Sequence, residues 1–228
     1  MEQQIFSRVK SLIGEEKLNL LSTKTVMIIG VGGVGSSAVE GLVRSGIGKV
    51  ILVDFDVIDP SNLNRQLMTT IDTIGLKKVD VLEKRIKSIN PDCCVVKIDK
   101  FIEPLNINIL FDYKFDYLID ACDSLKTKFS IIDNCIEKNI KFISSMGTAK
   151  RLDPTKLKIV DIRKTYNDPL AKRVRKYVND SRYKQKINVL FTDELPVKTE
   201  DGVLGSMIFV PNTAGLIIAN KVILDLIN

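Results

Sequence analysis

The chain has 228 residues, 45% of them hydrophobic and 27% charged, and a formal net charge of +6. Folding at this length buries roughly 70 to 75% of the unfolded chain's surface, so one core forms without disulfide or metal staples, and a single domain over residues 1–228 is expected. There is no histidine, which excludes a His-activated nucleophile, an imidazole base near neutral pH and a His-ligated metal.

From Lys24 onward, short β-branched runs alternate with longer amphipathic segments. That pattern predicts an α/β fold with a doubly wound, mostly parallel Rossmann-like sheet. The first strand is expected at Thr25 to Ile29, ending in Gly30-Val31-Gly32-Gly33-Val34-Gly35, and a helix starts near Gly33. The second strand, Lys49 to Asp54, ends in an acid 19 residues after Gly35. This is a dinucleotide-type fingerprint in its proper context. Gly30 permits the tight turn, Gly32 and Gly33 let phosphate oxygens approach the backbone, and Asp54 is placed to bind ribose hydroxyls.

The next segment, FDVIDPSNLNRQ, holds Asn62, Arg65 and Gln66 and leads to GLKK with Lys78, where a further helix begins near Lys77. A dehydrogenase has no need of this basic group. Arg and Lys that converge on a phosphate chain neutralise charge during attack at phosphorus. Strands follow at Cys94 to Ile98, Asp116 to Ala121 and Lys141 to Ser145, with helices beginning near Pro104 and Ser124. Asp123 follows the fourth strand at the carboxyl edge of the sheet, where it suits a magnesium ion. Each residue also has a plain alternative: Arg65 a surface ion pair, Lys78 a solvated helix start, Asp123 a helix cap.

After Gly147 two more strands are expected, Leu157 to Ile162 and Ile187 to Thr192, as a C-terminal extension. Residues 141–190 carry a local balance of +10, leaving −4 on the rest of the chain. Within AKRVRKYVNDSRYKQK, the cations Lys172, Arg173, Arg175 and Lys176 suit a polyanionic partner, the alternative being a solvated face. Pro196 to Gly205 reads as a mobile crossover loop. The apolar stretch Val203 to Ile227 is broken by Pro211, Asn212, Asn220 and Lys221 and reads as a buried strand and helix, not a membrane span. The cysteines, Cys93, Cys94, Cys122 and Cys135, lack CxxC spacing and read as reduced thiols of a cytoplasmic chain. Cys93 and Cys94 are expected to be interior, and Cys122 to be packing and not a nucleophile.

Taken together, GVGGVG, the acid of LVDFD, SNLNRQ, the GLKK lysine and DACDS resemble the ThiF/MoeB/HesA family, relatives of the ubiquitin-activating enzymes. The resemblance implies adenylation of a carboxylate by ATP. It implies that Gly33 and Asp54 contact ATP, that Asn62, Arg65 and Lys78 bind its phosphates, that Asp123 serves Mg2+, and that Arg8 reaches the partner's ATP in a homodimer. Further stretches, among them SGIGKV, SINPDC, FTDELP, VPNTAGLIIANKV and the run from Ser144 to Lys176, resemble the tRNA-modifying branch. That branch cyclises a carboxylate-bearing modified adenosine beside the tRNA anticodon, and the basic region would then hold the tRNA. The loop after Pro196 is shorter than is usual in this group. Two rivals stand beside this reading. One is an adenylyltransferase acting on the Gly-Gly end of a sulfur-carrier protein, which the lack of any cysteine after Cys135 opposes. The other is a non-catalytic adaptor in an RNA-modification or sulfur-trafficking complex.

Overall fold

The computed structural model describes residues 2–199 and 204–228. Three helices, α1 (Glu2–Ile5), α2 (Ser7–Ile13) and α3 (Glu15–Ser22), precede β1 (Thr25–Ile29). There follow α4 (Gly33–Arg44), β2 (Lys49–Val53), α5 (Lys78–Ile89), β3 (Cys94–Ile98), α6 (Asn108–Phe111), β4 (Tyr117–Asp120), α7 (Leu125–Glu137) and β5 (Phe142–Ser145). The chain ends with β6 (Leu157–Asp161), α8 (Pro169–Asp180), β7 (Asn188–Thr192) and α9 (Phe209–Ile227). The strands lie in one sheet in the order β3-β2-β1-β4-β5-β7-β6. All neighbours are parallel except β6, which runs antiparallel to β7. This is the doubly wound α/β arrangement that the alternating pattern predicts.

Side chains alternate across the pleat, so each central strand feeds two cores. Val26, Ile28, Val50 and Leu52 face α4, α5 and α9, whereas Met27, Ile29, Ile51 and Val53 pack with Ile131 and Cys135 of α7. A third cluster joins Val174 and Val178 of α8 to Val189 and Phe191 of β7. α9 is long and apolar enough to cross a membrane by length and composition, but most of it is buried in the fold. Small residues let it approach α4 closely: Gly215 lies against the Val34 carbonyl, and Gly41 faces Ala219.

Three expectations are corrected. The helix expected from Pro104 is only the single turn Asn108–Phe111, because the Asn106 side chain bridges the Glu103 N–H and the Phe101 carbonyl and holds a turn instead. Val203 to Ile227 yields a helix from Phe209, and no strand lies between β7 and that helix among the described residues. Cys94 is exposed because β3 is an edge strand, while Cys93 is buried as expected. Part of the expected crossover loop, residues 200–203, lies outside the described residues.

Candidate active site

β1 and β4 are neighbours, while the chain leaves β1 for β2 on one side and β4 for β5 on the other. A crevice opens at such a reversal, beyond the carboxyl ends of the strands. Here it is a cleft of about 450 Å3. Its floor is the β1–α4 turn. Gly30 has φ +83° and lies against the Ala121 carbonyl, so a side chain would meet both steric limits at once. Gly32 is the N-cap of α4 and supplies no side-chain bond to the first turn, which leaves backbone N–H groups for an anion.

Gly35 carries the tightest approach in this turn, since a Cβ there would lie 1.9 Å from the Gly30 carbonyl oxygen. Gly35→Ala must therefore open the loop. A stability loss of about 1–3 kcal/mol, the usual cost of overpacking, is expected, together with loss of ATP binding. Thermal melts and nucleotide titration check this, and an alanine variant that binds ATP normally would refute it.

Asp54 lies just beyond β2 and holds the turn in place. One carboxylate oxygen accepts from the Val31 N–H at 2.8 Å and the other from the Asp56 N–H at 2.9 Å. Burial pushes the Asp54 carboxyl up, against the pull of the Lys78 ammonium. Lys78 begins α5 in the cleft wall, with its Nζ 2.6 Å from Asp56 Oδ2. Only 7% of the Lys78 side chain is exposed, and what is exposed lines the cleft.

The opposite wall is the 62–66 segment. Arg65 donates to the Ser61 carbonyl and to Asn64 Oδ1, and its own carbonyl accepts from Asn212 Nδ2 at 2.7 Å. Asn212 also accepts from Ser37 Oγ at 2.6 Å, so α9 ties the arginine segment to α4. Asn62 is buried, and its Oδ1 accepts from the Asp59 N–H. Gln66 is buried in the cleft wall, and its Oε1 has no hydrogen-bond partner among the described residues, an acceptor of the kind a ligand satisfies.

At the β4 edge, Ser124 and not Asp123 caps α7. The Asp123 carboxylate is thus exposed in the cleft and engaged in no hydrogen bond or ion pair among the described residues. Cys122 Sγ instead donates to Asp120 at 3.1 Å, and burial pushes the thiol well up, which removes the thiolate needed of a nucleophile.

The structure thus brings Gly30, Gly32, Gly33, Asp54, Asn62, Arg65, Gln66, Lys78 and Asp123 to one cleft. Gly35 lies behind it in α4, and Arg8 is exposed on α2, away from it. Of the four cations on α8, Lys172, Arg173 and Lys176 are exposed and form no ion pair among the described residues. Arg175 is turned inward and donates to the Thr165 hydroxyl and carbonyl.

Sequence reasoning missed several participants. Phe55 and Phe101 line the cleft beside Asp54, edge to face with centroids 4.8 Å apart, a surface suited to a purine. An aromatic residue directly after the strand-ending acid was the available signal. Thr148 and Ala149 line the far end. Beneath the floor, Lys128 is fully buried and donates to Asp120 at 3.0 Å, Ser144 at 3.2 Å and the Ser145 carbonyl at 2.8 Å.

Comparison with known proteins agrees with this geometry. The model of the ThiF family matches residues 6–208. The chain is 41% identical to a tRNA threonylcarbamoyladenosine dehydratase of Bacillus subtilis, covering 97% of this chain and 94% of that one. It is 35% identical to the Escherichia coli protein of that name, covering 90% of this chain and 80% of the relative. A crystal structure of the E. coli dehydratase in complex with ATP superposes with a TM-score of 0.92 at 32% identity, over 98% of this chain and 94% of that one.

Proposed function

The chain belongs to the ThiF family, and from that premise we propose that it is an ATP-dependent tRNA threonylcarbamoyladenosine dehydratase. The observation that carries the reading is the near full-length match to the B. subtilis dehydratase. The cleft agrees with it, because its lining offers a glycine turn suited to phosphates and two cations, Arg65 and Lys78.

In this mechanism ATP lies with its ribose at Asp54 and its base against Phe55 and Phe101. The threonyl carboxylate of the modified adenosine attacks the α-phosphate, the new P–O bond forms, and pyrophosphate leaves. Arg65 and Lys78 stabilise the charge on the transferring phosphorus and the leaving group. The carbamoyl group of the same side chain then attacks the acyl carbon, expelling AMP with one carboxylate oxygen and losing a proton. The net change is loss of one water from the nucleoside. Both reacting groups sit on one side chain, so proximity replaces an enzyme nucleophile. That accords with the absence of histidine, the protonated Cys122 thiol and the lack of any cysteine after Cys135.

Asp123 fits Mg2+, because a free carboxylate beside a phosphate site is the usual protein contribution to this ion, the remaining ligands being phosphate and water. When bound, the ion would neutralise phosphate charge.

The tRNA would be held through its phosphates by Lys172, Arg173 and Lys176, with Arg175 supporting the helix from inside. Arg173→Ala with Lys176→Ala is expected to weaken tRNA binding and to lower the slope of log affinity against log salt by about 1.5. Filter binding across a salt series checks it, and an unchanged slope would remove these residues from the interface. A homodimer would cover exposed Leu12 of α2 and Leu216 and Leu224 of α9, and would let Arg8 reach the partner's ATP. A cytoplasmic location goes with a tRNA substrate and reduced thiols. Residues 1–228 would act as one adenylating domain, with sulfur-trafficking proteins as further partners.

The test is incubation with ATP, magnesium and tRNA bearing threonylcarbamoyladenosine, followed by mass spectrometry of the digested nucleosides. The expected result is ATP-dependent loss of one water. An intact nucleoside, with pyrophosphate exchange driven by a peptide ending in Gly-Gly, would favour the carrier-protein adenylyltransferase instead.

A further inference from the structure

The cleft has two ends. Asp54, Phe55 and Phe101 line the first, and Asp123, Ser124, Thr148 and Ala149 line the second, at the edges of β4 and β5. A carboxylate that attacks an α-phosphate lying over the glycine turn enters by the second end, since ribose and base fill the first. Thr148 follows directly on Gly147, and Gly147 is bonded to α8. The Gly147 N–H donates to Asp168 Oδ2 at 2.9 Å, while Asp168 Oδ1 accepts from the Leu170 and Ala171 N–H groups at 2.8 and 3.1 Å. Capping α8 uses one oxygen, and the other holds Gly147, the residue before Thr148 of the cleft wall.

The junction is built for close approach. Asp168 is only 4% exposed, and a Cβ on Gly147 would come within 3.2 Å of Asp168 Oδ1. Arg151, also 4% exposed, donates to the Asn167 carbonyl at 3.1 Å and to the Glu194 carbonyl. Burial pushes its guanidinium down, and the nearby Asp168 and Glu194 charges oppose that. Farther along, α8 is tied to α7 by Tyr177, whose hydroxyl donates to Asp133 at 2.6 Å and whose ring stacks on Phe129. The α7 helix itself begins at the Asp123–Ser124 edge of the cleft. The basic helix is thus joined to the acceptor end of the cleft at two points, and Asp168 is the nearer.

We propose that Asp168 is a positioning residue that sets the spacing between α8, as the tRNA-holding helix, and the acceptor end of the cleft through its bond to Gly147. The inference rests on the reading of α8 as a tRNA-binding element. A tRNA held on α8 delivers its modified base to a phosphorus fixed by the opposite wall, so the helix must sit in a defined place for the carboxylate to meet it.

Asparagine and serine are both good N-caps, so Asp168→Asn and Asp168→Ser keep the cap but not both sets of bonds, and Asp168→Ala loses both. The full-length protein is assayed for single-turnover dehydration at saturating modified tRNA, for tRNA affinity and for melting temperature. For the Asn and Ser variants the expected result is tRNA affinity within about twofold of wild type, a melting temperature lowered by roughly 2–12 °C, as for one buried donor left unpaired, and a rate, measured well below melting, lowered roughly a hundredfold, the usual effect of misplacing reactants by about 1 Å. An unchanged rate in Asp168→Asn overturns the proposal. So does a loss that merely follows the melting temperature through Asn, Ser and Ala, because that describes a cap and not a positioning residue. No turnover by the wild-type protein would sink the dehydratase reading and this inference together, whereas equal turnover by wild type and Asp168→Asn sinks this inference alone.

Discussion

Replacing Lys78 with alanine is expected to lower nucleoside dehydration by about a thousandfold, the loss found when one preorganised charge is removed from a transition state. The Lys78 ammonium is the cleft's most buried cation, with 7% of its side chain exposed, and it lies near enough to Asp54 to pull on that carboxyl. In such surroundings a charge acts with little screening on developing phosphate charge. Because that charge grows during attack, kcat should fall much further than affinity for ATP. Stability should barely change. The carboxylate left behind, Asp56, is 44% exposed and can be rehydrated, so this pair adds little to folding. Pre-steady-state kinetics with modified tRNA, beside a melt, separates the two effects. A variant that retains rate within tenfold would remove Lys78 from the phosphate site.

Much of this site was legible because its residues sit where local rules apply. The run from Thr25 to Gly35 is a strand, a glycine turn and a helix start in sequence, and Asp54 ends the next strand, so topology alone delivers them to one edge. Lys78 was legible for the same reason, as the first residue of a helix facing the crevice. What stayed hidden depends on contacts distant in sequence. Asn212 follows Gly33 by well over a hundred residues, yet it joins the α4 turn to Arg65. Arg175 looks identical to its neighbours in a basic run, and only the fold of the Thr165 segment turns it inward. Cys94 is exposed against expectation because a strand's sequence does not announce that it lies at the edge of the sheet. Asp123 reads as a cap, and it is freed for the cleft only because Ser124 takes that role.

Lys128 is the strongest case of a residue whose role no local rule reveals, and its removal should be the costliest in the chain. A lysine within an amphipathic helix ordinarily reads as solvated, yet both Lys128 and Asp120 have fully buried side chains. All three Lys128 donors are used, by Asp120, Ser144 and the Ser145 carbonyl, and Asp120 also accepts from Ser144 and from Cys122 N–H and Sγ. Lys128→Met leaves that carboxylate without its counterion. Breaking one side of a buried pair costs about 3–5 kcal/mol, which at this chain length lowers the melting temperature by roughly 6–20 °C. The double variant Lys128→Met with Asp120→Asn should recover part of the loss, since no unpaired charge then remains. Burial works against the Lys128 charge, but Asp120 outweighs it and holds the ammonium above its ordinary value of 10.5. Its stabilisation is therefore fully present below pH 10.5 and lost as pH rises through the higher folded value. Melts of wild type and Lys128→Met should stay far apart at neutral pH and converge only in strong alkali. The same ion pair joins the ends of β4 and β5, from which the 121–124 and 148–149 segments run into the acceptor end of the cleft, so ATP affinity should fall with stability, and a single variant that melts like wild type would show that packing alone holds those segments.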